Sequence, residues 1–372
     1  MRREHGAAIL AFLVTVAFSP KIIGAATVPR EALLSVGIPL LLLGPVTSPR
    51  HWQWLAAFLF WQMASLAWTP VPLGAIGQAW DDVLLALVVI VGASLEEIAP
   101  AMLAIAAGLG VSSVIVVAQV LGWHGWPEAA TPSGLFINKD VLAEVSAIVL
   151  VWFAASRLWW AIPLLLPDVL LTSSHAAFAA FGAALVAWLL ARRRLFWASV
   201  ACLGGVAAVV LVPGSAASSA MRRIEVWEAA LRGISLFGHG VGSFPVLVYT
   251  LTGNPHVTSL LWGEPHNEVL NWAFESGIGA FLPFVFLFLV MRDRHVQQTP
   301  EATALVAAAV IAFVSFPLHV PLSLLVVGLL AGRAARPGND LRHGHAGVGD
   351  LASVASGVRQ SGRQHRDAAR CR

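Results

Sequence analysis

The sequence predicts an all-α polytopic membrane protein of about twelve transmembrane helices, each needing roughly 20 apolar residues, with one long helical loop outside the bilayer. Three observations carry this reading. Of the 372 residues, 58% are hydrophobic and only 12% charged, and the mean hydropathy of +0.77 is far from that of soluble chains. Apolar runs long enough to cross a hydrocarbon core recur along most of the chain. Between Leu211 and Gly277 that pattern breaks down once, for about 65 residues, too long for a structureless connection.

The runs place spans at 6–24, 31–47, 51–68, 79–96, 99–121, 140–156, 158–173, 175–191, 195–213, 276–291, 302–317 and 318–332. The first follows a basic lead and ends in small residues before Thr27, the pattern of a signal peptide. We read it as a retained span, because the charge pattern downstream closes only if it stays. The division between the last two is set by Pro317 and Pro321, where a re-entrant pair is the alternative.

Orientation follows from the basic residues. With the N-terminus in the cytoplasm, Arg2, Arg3, Arg50, Arg157, Arg192, Arg193, Arg194, Arg292, Arg294, Arg333 and Arg336 all fall on the inner side. Lys21, Arg30, Lys139, Arg222, Arg223 and Arg232 fall outside and need an interfacial or functional reason. The expected organisation is a membrane domain over 1–332, with its loop over about 214–275, and a disordered basic tail over 333–372, both termini cytoplasmic. His343, His345 and His365 in that tail are read as solvated. Cys202 and Cys371 supply neither a disulfide framework nor a thiolate metal site, and no partner of nucleic-acid type is expected.

The loop should carry its own helices. Ser218 and Ser219 are suited to cap one that runs to about Leu231 and ends at Gly233, with Ile224, Trp227 and Leu231 as its apolar stripe. Gly238, Gly240 and Gly242 then predict a flexible turn before a short apolar segment from Phe244 to Leu251. A last loop helix is expected to begin at Glu264, Pro265, His266 and Asn267, with proline in its first turn, and to run towards Glu275.

His266 is the first candidate for chemistry. In the first turn of a helix at the membrane face, the helix dipole disfavours imidazolium, and a neutral ring is able to accept a proton from a hydroxyl. The alternative is a histidine that only hydrogen-bonds a loop carbonyl. Arg223 and Trp227 are spaced to look toward one surface, and a guanidinium there, with Arg222 beside it, suits phosphate oxygens. A solvated helix face with Glu225 and Glu228 is the alternative. The glycines Gly240 and Gly242 follow a helix rather than a strand, so a hinge is a better reading than a nucleotide fingerprint. Asn267 and Asn271 lie one turn apart, as sugar binders or as helix surface, and Glu275 is read as fixing the loop helix to the next span. No His, Asp and Glu cluster has metal-ligand spacing. Asp81, Asp82 and Asp168 lie near span ends and are read as interfacial.

Six stretches resemble the O-antigen ligase and polymerase superfamily of bacterial membrane transferases: RIEVWEAAL from Arg223, GHGVGSF from Gly238, PHNEVLNWAFESGIGA from Pro265, SFPLHVP from Ser315, SGLFINKDVLAE from Ser133 and LTSSHAAFAAFGA from Leu171. The resemblance covers roughly residues 131–330. It implies a metal-independent, inverting glycosyltransferase of the C-type membrane fold in the bacterial inner membrane, without cofactor. Its donor would be an undecaprenyl-diphosphate-linked glycan, and its acceptor a saccharide or glycolipid at the periplasmic face. The family's loop histidine corresponds to His266 and its loop arginine to Arg223. One position departs from the pattern. Where the family has an arginine in its outer Ser, Arg, Gly turn, this chain has His175. A protonated His175, Lys139 in its place, and a different donor or an impaired enzyme are three ways to accommodate that change.

Overall fold

The computed structural model describes residues 3–19, 26–125, 132–136, 138–191, 216–252 and 265–338. Those described are helical or irregular, with no strand among them. The helices are α1 (Arg3–Val16), α2 (Thr27–Leu41), α3 (Trp52–Ser65), α4 (Pro72–Ser94), α5 (Ala99–Val120), α6 (Lys139–Ala155), α7 (Ile162–Thr172) and α8 (His175–Ala191). Then come α9 (Ala216–Gly233), α10 (Phe244–Thr252), α11 (Glu268–Ser276), α12 (Phe281–Met291), α13 (Arg294–Gln297), α14 (Pro300–Ala312) and α15 (Pro321–Ala334). An apolar helix therefore occupies each interval read as a span except 195–213, which lies outside the described residues.

Three helices among the described residues are long and apolar enough to cross a membrane: Pro72–Ser94, Ala99–Val120 and the nearly continuous Glu268–Met291. The segments Trp159–Thr172, His175–Leu190, Pro300–Ala312 and Pro321–Ala334 are apolar but shorter. Several of these helices start on proline, which has no N–H to lose at a first helical position.

One apolar core runs through the bundle, built from α1, α2, α4, α5, α6, α14 and α15. Within it α4 packs closely along α15. Gly92 and Gly328 let these two helices approach closely: a Cβ on Gly92 would stand 2.5 Å from the Leu329 carbonyl oxygen, and one on Gly328 would stand 2.6 Å from Val88. At one end Arg50 bonds Asp293 at 2.8 Å and the Ala334 carbonyl at 3.2 Å, tying the start of α3 to the ends of α12 and α15. The compact unit runs to Pro337. The last helix ends at Ala334.

The loop helices form a second, smaller core. Val226, Ala229 and Ala230 of α9 pack on Phe244 and Val248 of α10 and on Leu270 and Phe274 of α11. Helix α9 begins at Ala216, so Ser218 and Ser219 lie within it rather than capping it. The break expected at 317/318 is wider in the structure. Helix α14 stops at Ala312, and residues 313–320 form a turn before α15, because Pro317 bars helical geometry from Phe316, found at φ −129° and ψ 61°.

Candidate functional site

Four segments converge where the loop core meets the bundle: α9, the 265–267 turn, the start of α6 and the 313–320 turn. Arg223 donates from Nη1 to the Val314 carbonyl at 2.9 Å, and Trp227, one turn on, donates from Nε1 to the Pro265 carbonyl at 2.7 Å. Both residues of the expected pair thus face one surface. The Glu268 N–H donates to the Ser315 carbonyl at 3.1 Å, which lays the 313–320 turn along the start of α11. The His266 ring meets Phe316 of that turn edge-on, with centroids 4.8 Å apart.

His266 is not in the first turn of α11. Asn267 is the N-cap: its Oδ1 accepts the Leu270 N–H at 3.0 Å, and the helix starts at Glu268. His266 precedes that cap in the left-handed region at φ 50°, a conformation costing a non-glycine residue roughly 1–2 kcal/mol. Its imidazole pKa is lowered to about 4, first by burial and then by the charge of Arg223, while Asp140 pulls the other way. The ring is neutral at pH 7, in line with the sequence, but burial and a neighbouring cation replace the helix dipole as the cause.

Asn267 is therefore a cap, with its oxygen engaged by the Leu270 N–H. Asn271 is buried rather than on the helix surface: it is 2% exposed, and neither side-chain atom has a hydrogen-bond partner among the described residues. It shares one face of α11 with Glu268 and Glu275, both fully enclosed. Glu275 accepts the Phe244 N–H at 3.0 Å and the Gln78 amide at 2.5 Å, linking α10 and α4 to α11. Its carbonyl takes the Gly240 N–H at 2.8 Å.

The glycine turn is packed rather than hinge-like. Gly240 and Gly242 have φ of 91° and 73°, and a Cβ would stand 2.6 Å from the Thr69 backbone or 2.8 Å from that of Ala75. Only glycine permits both the conformation and the approach. Thr69 and Ser65 complete the fit by bonding the Val241 carbonyl and N–H at 2.9 and 3.0 Å.

Sequence reasoning missed the groups that hold this arrangement from below. Glu144 of α6, buried, accepts the Ser315 hydroxyl at 2.9 Å and lies within electrostatic reach of Arg223. Glu268 accepts the Leu318 N–H at 3.4 Å and has an oxygen 3.0 Å from His319 Nδ1. Asp82 and Asp168 are buried within the bundle rather than interfacial: Asp82 accepts from Gln62 at 2.8 Å and Asp168 from Ser146 at 2.9 Å. Asp82 is in turn within electrostatic reach of His319, Glu268 and Glu275. A signal exists, since Glu144, Glu268 and His319 stand inside the resembling stretches, but their partners come from distant segments.

His175 opens α8, and Ala177 two residues on packs against Ala143 and Ala147 of α6, at the end where Lys139 and Asp140 stand. The charges that act on His266 come from Arg223 and Asp140 rather than from His175 or Lys139. His175 Nε2 is buried with no hydrogen-bond partner among the described residues. The Arg222 side chain lies outside the described residues. Among those described, no three His, Cys, Asp or Glu side chains are placed to hold a metal ion. Compared with known proteins, the chain matches no family model and no curated sequence.

Proposed function

We propose that the chain is a membrane glycosyltransferase that moves a glycan from undecaprenyl diphosphate to a saccharide acceptor at the periplasmic face, in the manner of an O-antigen ligase. The observation that carries the reading is the pairing of a neutral, half-buried His266 with Arg223 on one surface beside the bundle. His266 accepts the proton of the acceptor hydroxyl, or orients it, as the oxygen attacks the anomeric carbon. The bond to the diphosphate breaks, and Arg223 stabilises the charge that gathers on the leaving group. Arg222, with His175 or Lys139, is assigned to the same diphosphate. Glu144, Glu268 and Trp227 position these groups. The twelve-span topology, the inner-membrane location and the cytoplasmic termini belong to this reading.

Polymerisation of repeat units is the same chemistry with another acceptor, and product length separates the two. A transporter or flippase of lipid-linked glycan is a different class, and one observation favours it: Asp82, Glu268, Glu275 and Asn271 are buried, and polar and ionisable groups within a membrane protein commonly mark a path.

The deciding experiment places the purified chain in proteoliposomes with a lipid-diphosphate glycan and a saccharide acceptor. Transfer by the parent, lost in His266→Ala and Arg223→Ala at equal protein amount, supports the enzyme. Near-normal turnover in both variants removes this site, and translocation of the glycan without transfer turns the assignment to a transporter. His175→Arg restores the arginine of the resembling turn, and a large gain in rate would place residue 175 at the diphosphate.

A further inference from the structure

The corner between α9 and the glycine turn exposes an apolar edge that the proposed chemistry does not use. Leu231, Ile234, Leu236 and Phe237 lie there, with Leu236 65% and Phe237 60% exposed. Exposed large apolar side chains gathered in this way are of the kind that marks an interaction surface. The inner face of the same helix is already satisfied by the loop core, and none of these four side chains belongs to that core.

Its place beside an apolar helix is fixed by the backbone. The Ile278 N–H donates to the Leu236 carbonyl at 2.9 Å. Ile278 belongs to the Glu268–Met291 segment, one of those long and apolar enough to cross a membrane. Leu236 is thereby held beside the interior of that apolar segment rather than beyond its end. The neighbouring surface is apolar as well: Ile278 is 52% and Phe281 66% exposed. Phe237 stacks on Trp61 of α3 at 6.2 Å and 19°, and Trp61 meets Trp68 edge-on at 6.3 Å. Trp61 is itself pinned by a 2.8 Å bond to the Ser276 carbonyl. Aromatic side chains of this kind gather at membrane interfaces.

We propose that the Leu231–Phe237 corner is a membrane-docking wedge, with its apolar edge seated in the acyl-chain and headgroup boundary of the leaflet on the α9 side. The occupant is bulk lipid, because the edge is continuous with the lipid-facing side of α12 and the α3 tryptophans. Arg232, within the corner, reaches back to Glu228 one turn earlier, and this exposed i, i+4 ion pair marks where the same helix turns to water. The inference needs the membrane but not glycan transfer, and its test reads no activity.

The full chain, with Cys202→Ser and Cys371→Ser, is placed in nanodiscs of phosphatidylethanolamine and phosphatidylglycerol. Nitroxide labels are attached through Leu231→Cys, Leu236→Cys or Glu228→Cys. All three side chains are exposed, so the labels do not disturb the core. The expected result is a ratio of oxygen to nickel-chelate collisions several-fold higher at 231 and 236 than at 228. A ratio at 236 equal to that at 228 would overturn the wedge by placing the corner in water. Loss of both collision types at 236, with dipolar broadening between labels, would also overturn it, by showing a second copy of the chain on this edge.

Discussion

Arg223 and His266 come from segments on either side of the loop, and the guanidinium of the first helps to keep the imidazole of the second uncharged. Burial lowers the His266 pKa most, and Arg223 adds to it, bringing the value to about 4. If a neutral ring is the working form, activity depends on that number in a defined direction. Turnover should hold level from neutral pH down to about 5 and fall only as the ring takes a proton near 4. Arg223→Gln removes the cation but keeps a hydrogen-bond donor for the Val314 carbonyl. Its acid limb should therefore move upward, towards the ordinary histidine value of about 6.5, while its maximal rate also drops. A pH profile of kcat for parent and variant checks this, and an unmoved limb would mean that His266 is not the titrating group.

Glu268 performs two structural tasks beside the site: its backbone N–H bonds Ser315, and its carboxylate takes the Leu318 N–H and stands against His319. Leaving a buried hydrogen-bonding group without its partner costs about 1–3 kcal/mol. Glu268→Ala should lower the thermal midpoint of the detergent-solubilised protein and its amount in membranes. Glu268→Gln retains an acceptor for Leu318 and should accumulate better, with a reduced turnover because the 313–320 turn is held less firmly beneath His266. Equal melting curves for parent, Ala and Gln variants would show that the pair holds nothing.

How much of this is legible in the sequence depends on the range of the interaction. The apolar runs are local, so the helices stand where hydropathy puts them, apart from the interval outside the described residues. The start of α11 is ambiguous in sequence, because proline and asparagine both suit a helix start and only the structure shows that Asn267 takes the capping bond. The inward face of α11 is hidden for a different reason. Glu268, Asn271 and Glu275 look like a polar surface stripe until α3, α4 and the 313–320 turn close over them. Ser315 with Glu144, and Gln62 with Asp82, pair across different helices, and no periodicity within one segment records such a partner.

The glycine turn shows the same limit and offers the most discriminating test of packing. Sequence composition presents Gly238, Gly240 and Gly242 as freedom, yet Gly240 at φ 91° lies against Thr69, with its N–H bonded to Glu275. An added methyl meets both obstacles at once, a left-handed backbone that L-residues avoid and a contact of 2.6 Å with main chain that has no flexible end to move. Gly240→Ala should therefore destabilise the chain by more than about 1 kcal/mol. The turn would lift from α3 and α4 and carry α9 away from the 265–267 segment. Gly74 is the internal control: it is helical, and a Cβ there would meet nothing within 4 Å. Gly74→Ala should be neutral or stabilising by roughly 0.5–1 kcal/mol, since it removes backbone freedom from the unfolded chain without a clash. Thermal unfolding of the two variants in the same detergent separates a packed turn from a hinge. A hinge would tolerate alanine at 240 as readily as at 74, whereas a packed turn makes the two substitutions differ in sign.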